Sequence, residues 1–504
     1  MSKAVIYFVK LPIVGFNKTR LQGFLPKEDI HHLSKYLLSK TFKELQLLDA
    51  EVLVFVTPSD RKDEISEHLN VEKDKIFAQK ECDHLGERMR VAMKEVFNMG
   101  YEKVALVGCD LVDITKELLE DVFRQLESYD VVFAPTADGG YGIAASRKFR
   151  PEMFAIDEYS HDQVFFQSKS VVEKAGLACG ETKLIHDLDT REDVAKYLAN
   201  DPSASFLNQG EYNANFLIDN GKKILRIALG SQMHLDNQIE YEFLALRGLA
   251  SSGVVPKVYL CQAKTEILGK GFLIEEYLPG RPLNYEKDLK IAAELLAKVH
   301  NVDCEQIPSL IVANHPFQVM YEEFLEMFNH YQNWPHKDLV VEAKISSLMA
   351  SLANYDRDQE LENPCVINTE LNSHNFIINP EGKSYIIDWE KPLIGEKEQD
   401  LAHFLAPTTT LWRTDVALDR NQIDQFIETY NIKSNNPIKL EKLKQYLHFT
   451  CLRGITWCSM AYVQYLESSK VKNNDQTFET ISKFISVPFL EQIENYIKML
   501  GEIV

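Results

Sequence analysis

Apolar and polar positions along the chain fall into two regimes. Up to about Asn200, short runs rich in β-branched and aromatic residues alternate with longer stretches of helical period. AVIYFV, EVLVFVT, KVALVG and DVVFAP read as strands. DIHHLSKYLLSKTFKELQLL, HLGERMRVAMKEVFNMG and TKELLEDVFRQLES read as helices. This alternation predicts an α/β domain with a mainly parallel sheet and helices on both faces. Ligands of such sheets bind beyond the carboxyl ends of the strands, so chemistry is expected in the loops there.

The regime changes after ANDPSAS, a small, polar stretch that reads as a linker. Two strand-like runs follow, SFLNQGEYNANFLID and KKILRIAL, with Asn220–Gly221 between them, a strong hairpin signal. A helix, QIEYEFLALRGLASSG, then precedes strands around PKVYLC and GFLIEEYL. From Leu289 the pattern is mostly helical, interrupted by CVIN, NFIIN and SYIIDWE. The expected organisation is therefore a first domain over 1–200 and, over 206–504, a small β-rich lobe followed by a helical one.

Composition narrows the class. The chain has 504 residues, is 45% hydrophobic and 26% charged, and suits two or three globular domains. Its net charge of −20 argues against nucleic acid as a partner, because phosphate backbones select basic faces. MSKAVIYFVKLP reads as a first strand and not as a signal peptide. No apolar run reaches the roughly 18 residues that span a bilayer. The cysteines form no CxxC pair, so neither a disulfide framework nor a zinc ribbon is indicated, and a cytoplasmic location is expected.

In the first half, strand AVIYFV runs into KLPIVGFNKTRL. Gly15 permits a tight turn, and Lys18 and Arg20 set two cations beside free backbone amides, a loop able to hold a di- or triphosphate. VALVGCDLVD places Asp110 past a buried run, where a carboxylate is costly unless it meets a cation or a donor. Such a carboxylate can hold Mg²⁺ against nucleotide phosphates. The competing role, a helix N-cap, suits Asp113 or Thr115 better. Asp138, Gly139 and Gly140 lie in TADGGYG, where glycines let backbone approach a sugar-like ligand, and Asp138 serves that ligand or a turn. Asp187 and Asp189 follow another short strand, and Thr190 or Asp189 can cap the helix after it.

The order P-x-x-G-x-x-K-T-R-L, L-G-E-R-M at Leu85–Met89, G-x-D at Gly108–Asp110, A-D-G-G-Y and D-L-D-T resembles GT-A-like glycosyltransferases and nucleotidyltransferases. These are related to the guanylyltransferase of deazaflavin-cofactor synthesis. The resemblance covers residues 3–198 and implies a GT-A (Rossmann-like) fold using Mg²⁺ or Mn²⁺. It further implies that Gly15, Lys18 and Arg20 meet phosphates, that Asp110 and Asp187 meet the metal, and that Arg88 shapes the nucleotide pocket. The chain departs from the pattern at Leu111–Val112, where a Ser/Thr-Pro pair is usual, and at Tyr159–Ser160–His161, where Trp-Ser-Thr is expected.

In the second half, Gly210 lies near a strand turn able to cover phosphates, and Arg226 sits on the next strand. Glu242 on the following helix offers an ion-pair partner, AAELLAKVH ends in His300, Asp388 follows the strand SYII, and Asp400 opens DLAHFL. These parts resemble the aminoglycoside phosphotransferase and choline kinase family over 206–430, which implies an α+β bilobal, protein-kinase-like domain. The family's loop reads His-x-Asp, four residues, then Asn, and those slots hold Asn368, Glu370 and Asn375. The resemblance implies Asn375 and Asp388 as metal ligands and Glu370 as the carboxylate that orients the attacking hydroxyl. His374, in the same loop, is a substrate-contact candidate. Trp412, Trp457 and LHFTCLRGITWCSMAYVQYL are expected to be helical core.

The expected function is a bifunctional transferase. A second-half kinase would phosphorylate a small amino-alcohol or sugar with ATP, and a first-half nucleotidyltransferase would join that phosphate to a second nucleotide. The alternatives are a first half that transfers sugar from a nucleotide sugar, and a second half that binds nucleotide as a pseudokinase.

Overall fold

The computed structural model describes residues 2–159, 161–467 and 475–501. Internal contacts divide the chain into two units, residues 1–229 with 264–272 and residues 230–263 with 273–504.

The first unit is built on a seven-stranded sheet. Its strands are β1 (Lys3–Lys10), β2 (Glu51–Thr57), β3 (Ile76–Ala78), β4 (Lys103–Gly108), β5 (Val131–Pro135), β6 (Tyr141–Ser146) and β7 (Cys179–Glu181), in the order β3-β2-β1-β4-β6-β5-β7. Ile6 pairs with Leu53 on one side and Leu106 on the other, both in parallel register. Because side chains alternate along a strand, the β-rich runs split into two cores. Val5, Tyr7, Val54 and Val107 pack beneath α1 (Lys27–Gln46) and α3 (Lys116–Gln125) through Leu38, Phe42 and Leu119. Ala4, Ile6, Phe55 and Leu106 pack beneath α2 (Leu85–Asn98) and α4 (Val164–Lys174) through Met89, Met93 and Phe165.

Three strands escaped the periodicity, the three-residue β3 and β7 and the longer β6. β6 runs antiparallel to both β4 and β5, so the sheet is mixed. Its sequence, YGIAAS, has too few large apolar side chains to read as a strand, and a tight turn at Asp138–Gly140 feeds it. Thr115 caps α3 by accepting from Leu118 N at 3.3 Å. Thr190 caps α5 (Arg191–Ala199) in a reciprocal capping box with Asp193. The unit continues into an antiparallel ladder of β8 (Ser205–Gln209), β9 (Asn213–Ile218) and β10 (Lys223–Ala228). Asp219, Asn220 and Gly221 form the hairpin turn with φ of 53°, 54° and 80°, as the Asn-Gly pair predicts.

The second unit carries α6 (Gln238–Gly248), β11 (Val258–Gln262), β12 (Phe272–Glu276) and β13 (Arg281–Pro282), followed by α7 (Leu289–His300), α8 (Pro316–Gln332) and α9 (Leu339–Ser351). Four short strands, β14 (Cys365–Ile367), β15 (Phe376–Ile378), β16 (Tyr385–Ile386) and β17 (Leu393–Gly395), interrupt the helices. They pair as β14–β17 and β13–β15–β16. The helices resume as α10 (Lys397–Leu405), α11 (Pro407–Arg413), α12 (Arg420–Lys433), α13 (Leu440–Glu467), α14 (Asp475–Phe484) and α15 (Val487–Gly501). Phe317, Phe324, Tyr446 and Phe449 pack α8 on α13 in one core. Trp457 departs from the expected core role. It is 40% exposed and meets Trp412 edge-on at 5.5 Å. The fold is thus an α/β GT-A-like unit followed by an α+β kinase-like one.

Candidate functional site

In the first unit, the ends of β1, β4 and β5 converge on residues 185–189. Leu111 bridges Asp187 and Thr136 bridges Ile185, which sets Asp110 and Asp187 on adjacent segments. Lys18, in left-handed backbone with φ 47°, buries its side chain to 2% exposure. Its ammonium donates to Leu188 O at 2.9 Å and lies 3.2 Å from Asp189 Oδ1 and 3.5 Å from Asp110 Oδ1. Burial opposes that charge, but Asp110 and Asp189 outweigh it and hold the lysine pKa above its ordinary value.

Asp187 has no cation of this kind. Burial, then Asp138 and Asp189, push its pKa up to about 7. Asp138 is also a turn residue, since its Oδ1 accepts from Thr136 Oγ1 at 2.5 Å and Gly140 N at 3.0 Å. The glycines answer to the chain itself. A Cβ on Gly139, at φ +90°, would lie 2.0 Å from Asp162 O, and one on Gly86 2.6 Å from the Tyr159 ring. Gly15 takes φ +76° in an open turn, and Arg20 is exposed on the 3-10 turn that follows.

Arg88 donates to Gln79 Oε1 at 3.2 Å, while Gln79 Nε2 ties Val9 O and Phe55 O, each at 2.9 Å. Gln79 was invisible in the sequence, because a lone polar residue after a three-residue strand carries no signal. Of the Tyr159–Ser160–His161 motif, Ser160 lies outside the described residues. Asp113 is not a cap but pairs with His186 Nδ1 at 2.7 Å.

The ladder residues of this unit lie apart from that carboxylate group in sequence. Gly210 N donates to Asn213 O at 2.9 Å in the β8–β9 turn. Arg226 is buried on β10 and donates to Asn215 Oδ1 at 3.5 Å.

In the second unit, the loop after β14 is held from beneath. Asp400, fully buried on α10, accepts from Asn368 N and Thr369 N, both at 2.7 Å. His300 Nε2 lies 3.3 Å from the same carboxylate and its Nδ1 is 2.9 Å from Tyr430 Oη. Asn368 Nδ2 donates to Asp388 O at 2.8 Å, so the residue in the histidine slot braces the two loops together. Thr369 and Asp388 both adopt left-handed backbone, with φ of 75° and 65°. Such strain persists only where surrounding contacts over-determine it, and it concentrates at functional sites.

Asn375 Nδ2 lies 3.4 Å from Asp388 Oδ2. Glu370 Oε1 meets Lys391 Nζ at 3.0 Å and Gln232 Nε2 at 3.1 Å. Burial raises the Glu370 pKa, but Lys391, Arg453 and His403 together hold it below the ordinary glutamate value. His403, pushed down to about 4 by burial and by Arg453, is neutral at physiological pH. His374 is also lowered, by burial and Arg413, and its amide donates to Asn372 Oδ1 at 2.9 Å. Glu242 is buried on α6.

Metal fit differs between the sites. Asp388 offers a carboxylate suited to Mg²⁺, while Asn375 turns its amide nitrogen toward it and its Oδ1 accepts from Asn372 N at 2.8 Å, so the amide would have to turn to add an oxygen ligand. Asp110 and Asp187 offer carboxylates on adjoining segments, one of them already facing the Lys18 ammonium. Among the described residues, no group of three or more His, Cys, Asp or Glu has metal-holding geometry, so phosphate oxygens would have to complete either shell.

Residues 203–441 match the phosphotransferase enzyme family (APH), and residues 41–161 match a family described as an uncharacterized protein conserved in bacteria (DUF2064). Two family models thus match separate stretches of this one chain. Human acyl-CoA dehydrogenase family member 11 is 26% identical over 215 residues, 39% of this chain and 26% of that protein. A 2-phospho-L-lactate guanylyltransferase of Methanocaldococcus fervens is 28% identical over 137 residues, 27% of this chain and 59% of that protein. The chain therefore spans about a quarter of the first relative and less than two thirds of the second.

Among solved structures, a protein of Desulfovibrio desulfuricans assigned as a nucleotide-diphospho-sugar transferase is 29% identical. It covers 40% of this chain and 90% of its own, at a TM-score of 0.37. One of Ralstonia eutropha assigned as an aminoglycoside phosphotransferase is 17% identical, covering 59% and 92%, at 0.46. The match over residues 203–441 is to a family of phosphotransferases, so this stretch is similar to transferases. Among its described residues no helix is long and apolar enough to cross a membrane.

Proposed function

We propose that the chain is a bifunctional transferase in which the kinase-like half phosphorylates a small hydroxy compound with ATP and the GT-A-like half joins that phosphate to a nucleotide. We keep the functional boundary at 200–206. The observation that carries the kinase half is the loop pair held by Asp400 and Asn368, with ionised Glu370, Asn375 and Asp388 on it. In-line phosphoryl transfer needs those parts, an acceptor-orienting carboxylate and two oxygen ligands on adjoining loops. Mg²⁺ bound there would neutralise charge on the transferring phosphate. Gly210 and Arg226 are assigned to the ATP phosphates, Glu242 to bracing, and His374 to the acceptor.

In the first half, Lys18 keeps Asp110 and Asp189 charge-balanced in a buried setting, and Arg20 remains exposed for phosphate. Asp110 and Asp187 would hold the divalent ion, Mg²⁺ or Mn²⁺, that a nucleoside triphosphate brings. The phosphorylated acceptor attacks the α-phosphate and pyrophosphate leaves. The 2-phospho-L-lactate guanylyltransferase relatives are named for a phosphorylated hydroxy acid, so hydroxy acids join amino-alcohols and sugars as acceptors to test.

The test is a screen of the purified full chain against four nucleoside triphosphates and these acceptors, following ADP and pyrophosphate separately. Acceptor-dependent release of both is expected. Release of neither sinks the proposal, and release of a nucleoside diphosphate from a nucleotide sugar would instead favour glycosyl transfer.

A further inference from the structure

Glu370 stands where the family resemblance sets a shorter aspartate, and the extra methylene is matched by a clamp. Lys391 Nζ and Gln232 Nε2 reach the same oxygen, Oε1, at 3.0 and 3.1 Å. Lys391 is also fixed to the loop through its backbone, since its carbonyl accepts from Thr369 Oγ1 at 3.0 Å. Gln232 comes from the opposite end of the unit's sequence, 138 residues before Glu370. Oε2 has no hydrogen-bond partner among the described residues, and the Glu370 side chain is 39% exposed.

We propose that Gln232 and Lys391 are positioning residues that pin Oε1 of Glu370 and so present Oε2 to the attacking hydroxyl of the acceptor. The role rests on the kinase reading given above. In the step, the acceptor O–H proton passes to Oε2 while the acceptor oxygen forms its bond to the γ-phosphorus. The bond from that phosphorus to the β–γ bridging oxygen breaks, ADP leaves with the electron pair, and Glu370 returns its proton to water. The charged or titratable groups around Glu370 are Lys391 after β16, Arg453 on α13 and His403 on α10. Arg453 is shared with Glu323 of α8, with Nε 3.4 Å from Oε2. Lys391 is thus the cation in direct contact with the carboxylate.

The clamp explains why a glutamate belongs here, and it makes a counter-intuitive prediction. Glu370→Asp restores the family's usual residue but withdraws the carboxylate from both donors. It is expected to lose roughly 100-fold in kcat, the cost of a misplacement near 1 Å. Lys391→Met and Gln232→Leu are expected to lower kcat with the KM for ATP unchanged, and Lys391→Arg to recover part of the loss.

A merely structural role would not tie the pH–rate profile to the titration of the carboxyl. In full-length chain labelled with ¹³C at glutamate carboxyls, with Glu370 assigned by its absence in Glu370→Gln, the pKa is expected to rise in Lys391→Met. The acid limb of the pH–rate profile should move up with it. An active wild type whose Lys391→Met variant shows neither shift, or whose Glu370→Asp variant matches it in rate, overturns the clamp alone. A wild type that phosphorylates no acceptor overturns the kinase reading and this role with it.

Discussion

Lys18 and Asp110 meet at 3.5 Å with the lysine side chain almost wholly buried, so the cation expected to face phosphate is first a counter-ion to carboxylates. Its second partner, Asp189, is closer still at 3.2 Å. The ammonium therefore fixes the spacing of two strand-end carboxylates, and phosphate contact falls more heavily on exposed Arg20.

Lys18→Met should then do two things. It removes the charge that balances Asp110 and Asp189, lowering first-unit stability by only about 1 kcal/mol, because Asp110 is half exposed and water screens it. It should also abolish pyrophosphate release, while Arg20→Met raises the KM for the nucleotide with a smaller fall in kcat. Denaturant melts and steady-state kinetics on the two variants separate positioning from phosphate binding.

Asp187 predicts an inverted pH dependence. Its ordinary pKa of 3.8 is raised to about 7, so between those values the native state holds more protons than the unfolded one. Stability of the first unit must fall as pH rises through that window. In chelator, wild type should melt lower at about pH 7.5 than at about pH 5, and Asp187→Asn should flatten the difference. Added Mg²⁺ should reverse the fall and release a proton, which calorimetry in buffers of different ionisation enthalpy detects.

Asp400 should be the costliest carboxylate to lose in the second unit. It is fully buried and takes two backbone amides, one of them from strained Thr369. Asp400→Asn weakens those charge-assisted bonds, at about 2–3 kcal/mol. Equilibrium denaturation should show the loss in the second unit's transition, with phosphoryl transfer falling further than stability because Thr369 and Glu370 shift together.

The sequence made some of this legible for definite reasons. Continuous apolar runs such as AVIYFV and VALV in KVALVG bury both faces of one sheet, and Asn220–Gly221 has few conformations besides its hairpin. β6 stayed hidden because YGIAAS is small and glycine-rich, and so reads as loop. The slots of Asn368, Glu370, Asn375 and Asp388 were visible as spacing, but not that Asn368 braces the loops or that Gln232 reaches Glu370 from far along the chain. Long-range hydrogen bonds leave no periodic trace. What the sequence does not show at Gly139 and Gly140 is their own packing, since a Cβ on Gly139 would meet Asp162 O and one on Gly140 the Thr136 and Asp138 side chains.

The two-activity reading makes its sharpest prediction in a cross of variants. Glu370→Gln removes the acceptor-orienting carboxylate while keeping the clamp's shape, and should cut acceptor-dependent ADP release by roughly 100- to 10,000-fold. Pyrophosphate release from a supplied phosphorylated acceptor should be unchanged, since the substitution lies in the other unit. Asp110→Asn should do the reverse, sparing ADP release and abolishing pyrophosphate release. With unphosphorylated acceptor, ATP and the second nucleotide together, either variant should stop the final product, and mixing the two purified variants should restore it through the released intermediate. Loss of both activities from either single variant would mean that one site performs all the chemistry, and the assignment of two steps to two halves would fall.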